Sequence, residues 1–347
     1  MTARRNARTI RRRSAIAAAL GTALALTAAC SGGAEDAGQA SDAREAALVQ
    51  SPQKPAGTPF WVDPNSPAAQ QVKQWRQSGR ASDAEVLRRI ADQPFAVWPA
   101  GDEPGWQIRA ARDGAAKTNS TMVLVAYNIP HRDCGQHSAG GAHSEAFYRQ
   151  WIGAFADNIE DKKAIVVLEP DALPHVADGC TPAEYHEQRF RLISEAVARL
   201  KKQPNTKVYL DAGNPDWIRN PGDLAQPLWR SGIAQADGFA LNVANFQPTA
   251  ENIAYGRKLS ALVGNKHFVI DTSRNGNGPL PGRGGEAWCN PPGRALGAAP
   301  TTKTGDKLAD AFLWIKRPGE SDGECRGGPP AGKWWPDYAL GLARNTK

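Results

Sequence analysis

The sequence predicts an α/β protein built on a parallel sheet of about seven strands. Three observations carry that reading. Short apolar runs alternate along the chain with amphipathic helical patterns, the order expected of strand–helix–strand units with right-handed crossovers. The central runs are continuously apolar rather than alternating, as in strands covered on both faces. Nearly every run stops at a polar or aromatic residue, and a parallel barrel gathers such ends into one cleft. A count of seven rather than eight makes the barrel distorted or incompletely closed.

The run that sets the pattern is Ile165-Val166-Val167-Leu168-Glu169-Pro170-Asp171. Pro170 cannot extend a ladder, so the chain leaves the sheet there with a carboxylate on either side of the break. Around it the candidate strands are 95–98, 121–127, 164–169, 207–211, 238–242, 267–271 and 311–316. They finish at Trp98, Tyr127-Asn128, Glu169-Asp171, Asp211, Asn242, Asp271 and Lys316. One strand-terminal Asp often does no more than cap a turn. Seven such ends converging would make a cleft rich in carboxylates. Helical patterns fill 144–160 and 182–202. The second is opened by Thr181-Pro182-Ala183-Glu184, a capping-box arrangement with proline at the first helical position.

The first 13 residues hold six arginines and no acid, and Ser14 to Ala29 is rich in Ala and Leu. That run is too short for a confident membrane span, and 1–29 reads as a signal peptide. Thr27-Ala28-Ala29-Cys30 has the small residues that precede a lipidated cysteine, but Thr27 stands where a large aliphatic is usual. Lipid anchoring at Cys30 and plain cleavage after Ala29 are therefore both open, and Cys30 is the only route to a membrane. Residues 30–58 read as a flexible tether and 59–347 as one large domain. The whole-chain charge is +7, from 42 basic and 35 acidic residues. Removing the six leading arginines leaves 36 against 35, so the basic balance belongs to the export signal and no nucleic-acid partner is expected. Cys134, Cys180, Cys289 and Cys325 are an even set in an oxidising compartment, with three pairings open. His131, His137 and His143 recur every six residues, which suits a polar loop better than a metal site. No metal and no cofactor is expected.

Several carboxylates, no phosphate loop and 11 tryptophans together suggest sugars. Indole faces cover the apolar side of a pyranose ring while carboxylates and amides take its hydroxyls. Glycoside hydrolysis needs one protonated carboxyl for the leaving oxygen and a second carboxylate for water or for direct attack. Serine chemistry is weaker, because Gln136 stands where a nucleophile elbow around Ser138 would need its first glycine.

Six motifs then occur in order: Y-N-I-P-H-R-D-C-G at 127–135, V-L-E-P-D at 167–171, D-A-G at 211–213, I-D-T-S-R-N-G-N-G at 270–278, W-C at 288–289 and F-L-W-I-K-R-P-G-E-S-D-G at 312–323. From about Phe60 to the carboxyl terminus the chain resembles glycoside hydrolase family 6, the inverting cellulases, and especially secreted actinobacterial endoglucanases. The resemblance implies a distorted barrel of parallel strands. It implies Asp171 as general acid, Asp133 as the carboxylate that raises that acid's pKa and joins it to the water, and Asp322 as candidate base. Whether Asp322 takes the water's proton or a water chain carries it to Asp133 is left open. Tyr127 would lie under the distorted sugar, Trp98, Trp217 and Trp288 would be ring platforms, and Asn242, Lys316 and Glu320 would bind substrate. The implied disulfides are Cys134–Cys180 and Cys289–Cys325, each beside a catalytic loop.

Two positions depart from the family pattern: Asn214 stands where relatives often carry histidine, and Ala139 where they can carry serine, with Ser138 next door. The implied function is a secreted or membrane-anchored, monomeric, inverting hydrolase of β-1,4-glucan. Endo action is expected because Asp271 to Trp288 spans 18 residues and Asp306 to Asp322 spans 17, little chain for roofing loops. The alternatives are a non-catalytic glucan-binding lipoprotein and an exo-acting cellobiohydrolase.

Overall fold

The computed structural model describes residues 59–282 and 286–347; the expected signal peptide, Cys30 and the tether lie outside the described residues. Six parallel strands curl into an open half-barrel and pair strictly in chain order. They are β1 (Met122–Ala126), β2 (Ala164–Leu168), β3 (Thr206–Asp211), β4 (Gly238–Leu241), β5 (His267–Asp271) and β6 (Ala309–Leu313). Pairing without a gap in order requires each connection to cross over on the same side; helices do so in the first four connections, whereas the described residues between β5 and β6 hold no helix.

The period of two along each strand divides the core. Val123, Val125, Ile165, Val167, Tyr209, Ala240, Val269, Ala311 and Leu313 form the cluster inside the curl. Their alternates, among them Leu124, Val166, Leu210, Phe239 and Ile270, pack outward against the helices. Carrying the inward parity to the end of each strand or one step past it arrives at Tyr127, Glu169, Asp211, Asn242 and Asp271. The cleft chemistry is thus an extension of the strand pattern.

The helices earn their places by the same patterning. Glu145–Ile159 is capped by Ser144, whose hydroxyl accepts from the Phe147 amide, and buries Tyr148, Trp151, Ile152, Phe155, Ala156 and Ile159. His186–Leu200 buries Phe190, Ile193, Ala196, Val197 and Leu200, and with them Arg189.

Two expectations are corrected. Segment 95–98 is not a regular strand: Val97 makes an isolated parallel bridge to Leu124. Its backbone serves two edges at once, Val97 pairing with Val123 and Val125 while the Ala96 amide donates to the Trp314 carbonyl. The segment makes two backbone bonds to β1 and one to Trp314, too few for a ladder on either side, so six regular strands remain among the described residues. The helix expected from 182 starts as a short 3-10 turn, Ala183–Tyr185, and becomes α-helical at His186. Thr181 does not close a capping box; its hydroxyl accepts from Arg189 instead.

Candidate active site

A cleft of about 1040 Å³ opens at the carboxyl ends of the strands. Trp98, Tyr127, Asp133, Asp171, Trp217, Trp288, Lys316 and Asp322 line it. Two expected residues do not. Asn242 is fully buried and spans the Asp271 carbonyl and the Gln247 amide. Glu320 is 5% exposed and paired with Arg317 at 2.8 Å. Both are spent on the walls, because a buried amide or carboxylate must find partners where it lies.

Asp171 follows the break at Pro170 with φ of +68°, a left-handed turn that swings it back over the strand end. Its Oδ2 accepts from the Tyr127 hydroxyl at 3.0 Å, and its amide donates to Asp211 Oδ2 at 2.9 Å. Burial raises the Asp171 carboxyl above its ordinary range; His175 offsets this in part and Asp133 adds to it. Asp211, beneath it, is pushed up to about 8 by burial and then by Asp171. A site that disfavours carboxylate charge keeps a proton available for donation.

Asp133 stands on a tight loop in which His131, Asp133 and Cys134 all have positive φ. Its Oδ2 accepts the Ser138 amide at 2.6 Å. Ser138 therefore serves Asp133 through its backbone, which any residue there would supply, and Ala139 is exposed at the loop surface. The loop is drawn together by Arg132, whose guanidinium donates to the Tyr127 and Ser138 carbonyls and lies over the Tyr127 ring.

Asp322 is built differently. Its Oδ2 accepts from Arg274 at 2.8 Å and from the Asn290 amide at 3.0 Å, and Lys316 lies 3.3 Å from Oδ1. Burial on its own would raise this carboxyl, but Arg274, Lys316 and the Asn290 amide overcome it and hold it below its ordinary value. The cleft thus sets a carboxyl inclined to keep its proton against one inclined to stay charged.

Lys316 also donates to the Ser321 carbonyl, and its amide is held by Asp271. Asp271 accepts four amides, from Ala244, Ser273, Ile315 and Lys316, and so staples the ends of β5 and β6 to the neighbouring loop. Glu169 does similar service on the other side, accepting the Asn128 and Ile129 amides. Asn214 caps the turn before Trp217, accepting the Asp216 and Trp217 amides at 3.1 Å. Trp98 donates to the Ile315 carbonyl and meets Tyr127 edge-on.

Both disulfides, Cys134–Cys180 and Cys289–Cys325, are present. Arg189 reinforces the first, donating to the Pro130, His131 and Ala172 carbonyls and so tying the Asp133 loop to the Asp171 turn. The sequence reading missed Arg189, Arg274, His175 and Asp178. A charged residue inside an apolar helical period was the available signal for Arg189, and Arg274 stood inside the motif at 270–278; His175 and Asp178 carried none.

The comparisons with known proteins show the family of the chain. The model of the family "Glycosyl hydrolases family 6" matches residues 55–346. The chain is 41% identical over 300 residues to "Endoglucanase A" of Cellulomonas fimi, covering 85% of this chain and 63% of that protein. It is 44% identical over 292 residues to "Endoglucanase 1" of Streptomyces halstedii, covering 81% and 87%. An endoglucanase from Mycobacterium tuberculosis, solved with methyl-cellobiosyl-4-deoxy-4-thio-β-D-cellobioside, superposes with a TM-score of 0.78 at 42% identity. That match covers 84% of this chain and 98% of the other. The chain spans less than two thirds of the C. fimi protein's length. With its half-barrel, its cleft carboxylates and these relatives, the chain belongs to glycosyl hydrolase family 6.

Proposed function

We propose that this protein is an extracellular, inverting endo-β-1,4-glucanase acting on cellulose or a related β-glucan. The observation that carries the proposal is the pairing of opposites in one cleft: Asp171 raised and hydrogen-bonded to Tyr127, Asp322 lowered by Arg274 and Lys316. Glycoside cleavage asks for both. Family membership and the endoglucanase relatives support the choice of β-1,4-glucan.

In this reading a glucan chain lies along Trp98, Trp217 and Trp288, with the reacting sugar over Tyr127. Asp171 donates its proton to the glycosidic oxygen as the bond to the anomeric carbon breaks. Water attacks that carbon from the opposite face, so the product is the α-anomer. Asp322, pinned as a carboxylate by two cations, acts as fixed negative charge against the oxocarbenium-like sugar. A carboxylate so stabilised is a weak base, which favours passing the water's proton along a chain to Asp133 over direct abstraction by Asp322. Asn242 and Glu320 support the walls in this scheme rather than touching sugar. An open cleft receives a polymer mid-chain, and on the export reading Cys30 decides between anchored and released enzyme.

The test is hydrolysis of soluble cellulose by the purified protein. Viscosity should fall quickly while few reducing ends appear, and proton NMR of early products should show the α-anomer. Asp171→Asn should lower kcat on glucans by about 10²- to 10⁴-fold and cost far less on substrates whose leaving group needs no proton. Cellobiose accumulation without loss of viscosity would mean exo action. Tight binding of cellodextrins without hydrolysis would make the protein a glucan-binding lipoprotein or other non-catalytic binder.

A further inference from the structure

One buried ring in the cleft has no part in the chemistry above. His175 lies one turn after Asp171, in the short helix Pro174–Ala177, and is 5% exposed. Its Nδ1 is 3.3 Å from Asp178 Oδ2. Its Nε2 is buried without a hydrogen-bond partner and faces Asp133 Oδ1 at 3.9 Å. Asp178 is itself fixed, Oδ2 accepting from the Trp217 indole and Oδ1 from the Cys180 amide, each at 2.8 Å. The His175 ring also meets Trp217 edge-on, with centroids 4.9 Å apart. A continuous path therefore runs from a sugar platform, through Asp178 and His175, to Asp133.

A buried ring nitrogen left without a partner calls for a reason. A carboxylate on the far side of an imidazole fixes its tautomer and stabilises its charged form. Burial works against a charged ring here, yet Asp133, Asp178 and Asp171 outweigh it and push His175 up to about 9. The groups around the ring come from four elements: Asp178 beyond its own turn, Asp133 from the loop after β1, Asp171 from the end of β2 and Asp211 from the end of β3. Lys316, beyond β6, acts on Asp171 from the other side. Without the imidazolium, Asp133, Asp171, Asp178 and Asp211 would face one another with no positive charge between them on this side of the cleft.

We propose that His175 is a positioning residue for hydrolysis: seated on Asp178, its imidazolium holds the Asp133 carboxylate in place and offsets the charge that Asp133 turns on Asp171. The inference rests on Asp171 being the acid. It assigns a task to the orphaned nitrogen and links the Trp217 platform, through Asp178 and the charged ring, to the water-side carboxylate.

The test uses the full-length enzyme, cellohexaose as substrate and two variants. His175→Gln keeps a polar side chain and removes the charge. It should lower kcat by about tenfold or more and change KM by less than about threefold. The alkaline limb of its kcat/KM profile should move up by about half a pH unit or more, because Asp171 loses its nearest offsetting charge. Asp178→Asn keeps an acceptor for Trp217 and removes the charge behind the ring, so the His175 ring should titrate lower than in the native protein. It also stands in if His175→Gln does not fold. An alkaline limb that stays in place in folded His175→Gln, a loss there confined to KM, or an unmoved ring in Asp178→Asn overturns the proposal.

An NMR titration of the His175 ring separates this inference from the assignment of function. The ring should titrate well above free histidine and move down in Asp133→Asn. If that coupling is seen in a protein that does not hydrolyse glucan, the functional reading fails and the His175–Asp133 unit stands. A ring that titrates at the ordinary value and ignores Asp133→Asn overturns it.

Discussion

Replacing Arg274 by Met tests how the cleft keeps Asp322 charged. Arg274 is fully buried, and its guanidinium reaches Asp322 at 2.8 Å, the Ala244 carbonyl at 2.5 Å and the face of Phe246. Methionine fills much of the same space and keeps the contact with Phe246, so the change is chiefly electrostatic. Removing one member of a buried pair costs about 3–5 kcal/mol. Lys316 and the Asn290 amide still serve Asp322, which argues for the lower end. The unpaired Ala244 carbonyl adds about 1 kcal/mol. A total near 4 kcal/mol corresponds to a fall in Tm of about 8 °C for a chain of this size.

The loss should depend on pH with a definite sign. A carboxyl held below its unfolded value stabilises the fold above that unfolded value, and the contribution is lost as pH falls through the folded one. Asp322 is such a group in the native protein. Without Arg274 burial dominates and its carboxyl rises, so the variant takes up a proton at a pH where the native protein does not. The deficit should therefore be largest near neutrality and shrink at about pH 4.5. Urea denaturation of both proteins at the two pH values measures it. A deficit below about 1 kcal/mol, or one that does not change with pH, would refute the argument that a stranded buried charge is the main cost.

Three other outcomes follow from the same geometry. Burial pushes Glu169 up to about 7, so the native protein should lose on the order of 3 kcal/mol of stability as pH rises from the unfolded carboxylate value through 7. Glu169→Gln keeps an acceptor for the Asn128 and Ile129 amides and should flatten that decline in denaturation curves. Tyr127→Phe removes a hydrogen bond that favours the charged form of Asp171, so the alkaline limb of kcat/KM should move up by about half a unit. Cys325→Ser opens a loop with a sequence separation of 36 and should cost about 4 kcal/mol in a chain-entropy account. Calorimetry reads that loss, and activity should fall with it because Asn290, beside Cys289, holds Asp322.

The strands were legible because each is a short apolar run bounded by polar residues, which needs no knowledge of the rest of the chain. Their ends also led to Tyr127, Glu169, Asp211 and Asp271. A place at a strand end does not say whether a polar residue faces the cleft or is consumed in the wall. Asn242 and Glu320 were consumed, each by partners fixed only when the loops assemble. Segment 95–98 reads as a strand from its four residues alone, but it makes only isolated bonds to β1 and to Trp314 and forms no ladder. Arg274 finds Asp322 across 48 residues, and Arg189 finds His131 across 58. A local pattern can at most mark such a cation as buried, as the apolar helical period does for Arg189; it does not name a partner that lies that far away.

The double fastening between the Asp133 loop and the Asp171 turn bears on how such an enzyme can be redesigned. Cys134–Cys180 joins these segments covalently, and Arg189 clamps the carbonyls of both from a third element. A graft that imports only one loop from a relative would leave a cysteine unmatched and three guanidinium bonds aimed at the wrong backbone. The transferable cassette is therefore discontinuous: the loop after β1, the turn after β2 and the helix bearing Arg189. Asp322 belongs to a separate cassette, with Arg274, Asn290 and the second disulfide. Recombination between homologues should succeed when its breakpoints respect those two units, even where they cut through the middle of the barrel.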